Sequence, residues 1–199
     1  MEGSRSHQGA AALAAALCFS PGANAAEDVP QKAQVCVACH GAGGNPADPS
    51  MPSIAGQPAQ FIATQLYFFR EGNRKDPQMS PLAAGLSNAE MNELAGYFSK
   101  QRPAAAPGRV SPENFSEGRR LSEQYHCVQC HGAQLLGLQH IPRLAGQQVA
   151  YLKTQMLAFK TRTRADLDGT MTSAAQPLSE KNIEVLADYL SGLDPNRDR

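Results

Sequence analysis

The chain has 199 residues, 18 basic and 18 acidic side chains, no tryptophan and 6% aromatic residues. That length allows one or two domains, and the balanced charge excludes a nucleic-acid-binding surface of the usual basic kind. So few large side chains leave a thin core that a bound cofactor would supplement. Four of the five cysteines fall in two short motifs, which excludes a disulfide framework.

In chain order, the first element is a leader-like segment. Arg5 and His7 precede a small, apolar run over residues 9–19, and Ala23-Asn24-Ala25 closes it. Residues 1–25 resemble a secretory signal peptide with an A-x-A cleavage site, although Glu2 weakens the basic region. A lipoprotein anchor at Cys18 is rejected because Leu17 stands where a small residue is wanted. The apolar run is too short to span a bilayer, and a retained N-terminal anchor is the alternative, leaving peripheral membrane association open.

Two segments then carry the chemistry: Cys36-Val37-Ala38-Cys39-His40 and Cys127-Val128-Gln129-Cys130-His131. In each, two thiols can add across the vinyl groups of a haem while the adjacent histidine ligates the iron from one face. A thioredoxin-like dithiol would follow a strand of a parallel sheet, and nothing here reads as β-α-β. A shared zinc site would need two motifs to converge from about 91 residues apart across a Pro-rich linker. Neither rival explains a histidine placed directly after the second cysteine twice. Two covalently bound haem c groups are expected, and such attachment is completed in the periplasm of Gram-negative bacteria.

The motifs belong to an internal duplication. Met51-Pro52-Ser53-Ile54-Ala55-Gly56-Gln57 matches Ile141-Pro142-Arg143-Leu144-Ala145-Gly146-Gln147, and FIATQLYFF (61–69) matches YLKTQMLAF (151–159). Gly72-Asn73-Arg74 answers Arg162-Thr163-Arg164, Leu86-Ser87 answers Leu178-Ser179, and Tyr97-Phe98 answers Tyr189-Leu190. The offset stays between 90 and 92, so the halves differ by single-residue insertions. Two homologous domains are expected, 26–101 and 113–199, joined by a linker over 102–112 whose prolines and glycine break structure.

Each half predicts helices only. The first-half opening helix is expected over roughly residues 28–37; its counterpart starts at Ser111 as N-cap with Pro112 and Glu113 in the first turn, and runs into the second motif. Middle helices carry Phe61, Gln65, Phe68, Phe69 and Tyr151, Met156, Phe159. Ser87-Asn88-Ala89-Glu90 is a capping box that opens the last first-half helix. Its stripe Met91, Leu94, Ala95, Phe98 and the counterpart Ile183, Leu186, Ala187, Leu190 should face the core. No alternating strand is evident, so the fold class is all-α, twice over.

The ligand opposite each histidine decides whether the iron is closed or open to substrate. Met79 lies 39 residues after His40 and Met171 lies 40 after His131, each seven before the matching Leu86 or Leu178. Both fall in the polar, Pro- or Gly-containing loop before the final helix of each half, where a methionine repeated in register is poor core filler, so they are the expected axial ligands. Met91 and Met156 read as core residues, and Met51, whose counterpart is Ile141, as packing. His126 and His140 have no first-half counterpart and read as surface or supporting residues. Pro52 and Pro142 can present carbonyls to the outer nitrogens of His40 and His131. Gln57, Arg74, Gln147 and Arg164 are candidates for the haem propionates.

These residues together resemble the cytochrome c4 family of dihaem class I cytochromes c, over the whole of residues 26–199: both haem motifs, both Pro-x-x-Ala-Gly-Gln segments, both methionines and both Leu-Ser helix openings. The resemblance implies two monohaem domains related by a pseudo-twofold axis, with propionate edges facing across their interface. It also implies periplasmic electron transfer, often toward a terminal oxidase, with a quinol- or dehydrogenase-linked donor upstream. Leu82 departs from relatives that carry a second methionine there. The expected function is a soluble electron carrier, not an enzyme. The alternatives are the electron-accepting cytochrome subunit of a dehydrogenase and a peroxidase-type enzyme with a labile iron ligand. From residue 26 the first half has five basic and seven acidic residues and the second twelve and ten, a modest dipole (−2 against +2) that could orient the carrier at a redox partner.

Overall fold

The computed structural model describes Met1, residues 30–106 and residues 110–197. The expected signal peptide and the middle of the expected linker lie outside the described residues. The first half comprises α1 (Ala33–His40), a 3-10 turn (Ala42–Gly44), α2 (Ala59–Arg70), α3 (Met79–Ala83) and α4 (Asn88–Lys100). The second comprises α5 (Pro112–Gln124), α6 (Cys127–His131), α7 (Val149–Lys160), α8 (Thr170–Ala175) and α9 (Glu180–Ser191). No strand occurs among the described residues, only an isolated bridge between Leu138 and Ile141.

The helix starts follow from local chemistry. Ser87 accepts from the Glu90 amide while the Glu90 carboxylate accepts from the Ser87 amide at 2.7 Å, closing the predicted capping box of α4. Ser179 and Asn182 form the equivalent box on α9. Ser111 caps α5, with Pro112 in the first turn.

Two expectations about helix extent are corrected. The opening helix of the second half does not run through the haem motif: His126 takes a left-handed conformation (φ 57°) and separates α5 from α6. In the first half, α1 extends to His40 rather than stopping near Val37, so the motif lies wholly within it. Met79 and Met171 were expected in loops; they occupy the first turns of the short helices α3 and α8.

Each half has its own core. Met91, Leu94, Ala95 and Phe98 of α4 pack on Ile62 and Leu66 of α2, and Ile183, Leu186, Ala187 and Leu190 of α9 pack with Leu152, Met156 and Phe159 of α7. The apolar stripes are therefore buried as their helical period requires. α5 crosses α9 closely, with Gly118 lying against Tyr189.

Candidate haem-binding site

In both halves the motif histidine is buried, and its ring Nδ1 is paired with a proline carbonyl: His40 to Pro52 at 3.0 Å and His131 to Pro142 at 2.8 Å. A carbonyl only accepts, so Nδ1 carries the proton and Nε2 keeps the lone pair that a metal needs. Burial lowers both imidazole pKa values, with the proline carbonyls opposing, and this favours the neutral ring.

The cysteines point to attachment rather than dithiol chemistry. Burial pushes the Cys36 and Cys127 thiols up, the reverse of the shift an activated redox thiol requires. Among the described residues, no three His, Cys, Asp or Glu side chains gather in a metal-binding cluster, which speaks against a shared zinc centre.

A cavity of about 470 Å³ is lined by Cys127, Cys130, His131, Met156, Phe159 and Met171, and reaches Gln57, Phe61 and Gln65 of the first half. Thiols, an imidazole with a free Nε2, a thioether and an apolar lining in one cavity fit a haem attached through the second motif. In the first half Cys36 and Met79 pack against the α2–α4 core, and His40 repeats the His131 geometry. Each methionine amide is held by a carboxylate: Met79 N donates to Asp76 at 2.8 Å and Met171 N to Asp166 at 2.7 Å. Asp166 also accepts from the Thr172 amide and hydroxyl.

Arg74 and Arg164 meet across the two halves. Arg74 donates to Gln65 at 2.6 Å, to Gln155 at 2.9 Å and to the Tyr151 hydroxyl at 3.3 Å. Arg164 donates to Gln155 at 2.5 Å and to Gln65 at 3.1 Å, a near-symmetric exchange. Each guanidinium lies over the ring of its own middle helix, 4.6 Å from the Phe69 centroid and 4.5 Å from that of Phe159. Among the described residues neither arginine forms an ion pair, and the buried Nε of Arg164 has no hydrogen-bond partner. Burial, with the like charge of Arg74 adding to it, lowers the Arg164 pKa to about 10. Burial would raise the Tyr151 pKa, but the two arginine charges outweigh it and lower it. Two cations beside a cavity, with an orphaned donor, fit a pair of carboxylates.

Gln57 and Gln147, expected at the propionates, are engaged elsewhere. Both are buried (2% and 3% exposed), and their amides pair with the backbone of the opposite half. Gln57 accepts from Arg143 N at 2.9 Å and donates to Arg143 O at 3.0 Å. Gln147 accepts from Ser53 N at 2.8 Å and donates to Ser53 O at 2.9 Å. The reason is symmetry: two identical Ala-Gly-Gln turns face each other, and each glutamine reaches the other's Pro-x segment. Arg143, fully buried, completes the seam by donating to the Ser53 hydroxyl and to the carbonyls of Ala55 and Ala145. His126 is exposed and His140 half-buried, and Met51 is half-buried beside Pro52. Sequence reasoning missed the roles of Ser53, Arg143, Gln155, Tyr151, Asp76 and Asp166. The repeated Thr-Gln of the middle helices (64–65 and 154–155) was the one usable signal.

Two helical domains, each presenting a buried Cys-x-x-Cys-His histidine and a thioether-bearing turn, define a dihaem c-type cytochrome. The comparisons agree. The cytochrome c family model matches residues 115–194, and that of cytochrome c oxidase, cbb3-type, subunit III matches residues 23–98. The chain is 36% identical to a cytochrome c4 of Thiocapsa roseopersicina, over 80% of this chain and 87% of that one. It is 35% identical to a thiosulfate dehydrogenase electron acceptor of Thiomonas intermedia (strain K12), over 91% and 88%. The crystal structure of reduced recombinant cytochrome c4 from Pseudomonas stutzeri superposes with a TM-score of 0.76 at 30% identity, covering 82% of this chain and 95% of that one. The chain belongs to the cytochrome c4 family. It is a dihaem electron-transfer protein rather than an enzyme, it carries two covalently bound haem c groups, and its partners are redox proteins. No helix among the described residues is long and apolar enough to cross a membrane.

Proposed function

We propose that Cys36 and Cys39 would attach one haem and Cys127 and Cys130 the other, with His40 and Met79 holding the iron of the first and His131 and Met171 that of the second. The observation that carries this reading is the duplicated Nδ1–carbonyl bond, which fixes each histidine as an Nε2 donor. When bound, each haem supplies a one-electron iron couple. The protein's own part is to hold the ligands, exclude water and set the potential. Asp76 and Asp166 fix the methionine turns, the apolar cavity walls desolvate the iron, and Arg74 and Arg164 receive propionates at the interface. Pro52 and Pro142 orient the histidines.

The carrier works in the periplasm after removal of residues 1–25, and its two monohaem units occupy 26–101 and 113–199. Its donor is a dehydrogenase of the thiosulfate-oxidising kind, a reading supported by the Thiomonas relative, and its acceptor is a terminal oxidase. The test of the ligand set is a haem count by pyridine haemochrome, with the far-red methionine-to-iron band of the oxidised protein measured in wild type, Met79→Ala and Met171→Ala. Two haems, with each substitution removing about half of the band, are expected for one methionine per iron. A band untouched by either substitution would assign that iron another ligand and bring a substrate-binding haem forward. Reduction of the purified protein by a thiosulfate dehydrogenase, with no reduction when the dehydrogenase is omitted, tests the donor.

A further inference from the structure

The carbonyl that receives His40 and the amide that meets Gln147 belong to one peptide unit. Pro52 C=O accepts from His40 Nδ1 at 3.0 Å, and the N–H of the same plane, on Ser53, donates to Gln147 Oε1 at 2.8 Å. The second half repeats this: Pro142 C=O accepts from His131 at 2.8 Å, and Arg143 N–H donates to Gln57 Oε1 at 2.9 Å. The amide orientations are fixed by the partners, since a backbone N–H must meet Oε1 and a backbone C=O must meet Nε2. Each axial histidine is thus joined to the glutamine of the other half through a single peptide plane.

Peptide units transmit polarisation. An acceptor on the N–H draws charge toward the carbonyl oxygen, which then accepts more strongly. A stronger bond from Nδ1–H gives the imidazole more anionic character and raises its basicity toward a metal. Anionic ligation favours ferric over ferrous iron. Here the histidine rings and both glutamine–amide links are buried, with the proline carbonyls half-buried between them, so the glutamine ends of the relay are shielded from water.

We propose that Gln147 acts on the haem held by His40, and Gln57 on the haem held by His131, so that each half positions the ligand and lowers the potential of the opposite haem. This rests on the assignment of His40 and His131 as axial ligands. It also makes the domain interface part of both redox sites: separation of the halves removes both glutamine acceptors and raises both potentials.

The test uses the full holoprotein with Gln147→Met and Gln57→Met, which keep side-chain length and remove the hydrogen bonds. Optically monitored redox titration of Gln147→Met should show one of the two one-electron waves displaced upward and the other unmoved. The mirror variant should displace the other wave. At fixed ambient potential the reduced-to-oxidised ratio of the affected haem should change by about threefold to tenfold, or ~30–60 mV for one electron. Assigned 15N-histidine spectra of the reduced protein identify the haem: the Nδ1–H resonance of His40 moves upfield in Gln147→Met while that of His131 stays. Gln147→Glu sets a charged, stronger acceptor against Ser53 N–H and should carry the His40 resonance downfield of its wild-type position and its wave below the wild-type potential. A glutamine that merely glues the interface predicts other results. Both waves shifting together, a shift confined to the mutated half, or unmoved waves and resonances would each overturn the proposal. If the variants lose haem, the wild-type and Gln147→Glu His40 resonances decide, and their coincidence rejects the relay. Loss of the methionine band in wild type would instead reject the ligand assignment itself.

Discussion

At Gly118 α5 lies directly against α9, and adding one methyl there should cost the second half much of its stability. A Cβ on Gly118 would lie 2.1 Å from Tyr189 Cβ, 2.8 Å from its Cγ and 3.1 Å from the Val185 carbonyl oxygen. None of these is the far end of a flexible side chain, and Tyr189 is further held by an edge-on Phe115 ring 5.2 Å away. Carbon atoms pack at about 3.5–4.0 Å, so the helices must separate by roughly 1.5 Å. Overpacking at its upper range costs about 3 kcal/mol, and the better helix propensity of alanine returns about 1 kcal/mol. The net loss, about 2 kcal/mol, corresponds to a fall of roughly 8–16 °C in the Tm of a domain this size. Gly96 of α4 supplies the control, because beyond its chain neighbours and its own helical backbone no atom lies within 4 Å of an added Cβ. Gly96→Ala should raise stability by about 0.5–1 kcal/mol. Thermal unfolding of the oxidised holoproteins, followed by helical circular dichroism, compares the two. A Gly118→Ala protein as stable as wild type, or more so, would mean that α5 and α9 do not cross at this point.

Ser87→Ala removes the capping box of α4 and should cost about 1 kcal/mol in chemical unfolding, with Ser179→Ala doing the same to α9; no change in midpoint would leave the caps without energetic weight. Phe98→Ala, at a side chain 1% exposed in the first core, should cost about 3–5 kcal/mol and leave the second half's transition in place. Simultaneous loss of both transitions would show that the halves unfold as one unit. Asp166→Ala frees the Met171 and Thr172 amides from a charged acceptor worth about 1.5–3 kcal/mol. Cyanide should then bind the second haem about 10–100-fold faster by stopped-flow absorbance, and an unchanged rate would remove Asp166 from control of the methionine turn.

What the sequence determined by itself was whatever depends on near neighbours in the chain. The two motifs needed only five consecutive residues each. The caps at Ser87 and Ser111 needed three or four, and the buried stripes of α4 and α9 needed only the helical period. The duplication added registry, which is why Met79 and Met171 could be singled out together. Even local reading failed where backbone conformation ran against residue type: nothing in the sequence marks His126 as left-handed, the conformation that breaks α5 from α6 at a residue without glycine's freedom. The tertiary structure alone decided the interface. Gln57 and Gln147 are polar residues in a repeated Ala-Gly-Gln turn, and a ligand carboxylate or a distant peptide would satisfy either amide equally well. Their partners lie 86 and 94 residues away, and the Arg164–Gln65 bond spans 99. Such pairings arise only when two copies of one surface meet face to face. Hydrogen bonding is then dictated by the burial of groups that must be satisfied, not by anything written beside them in the chain.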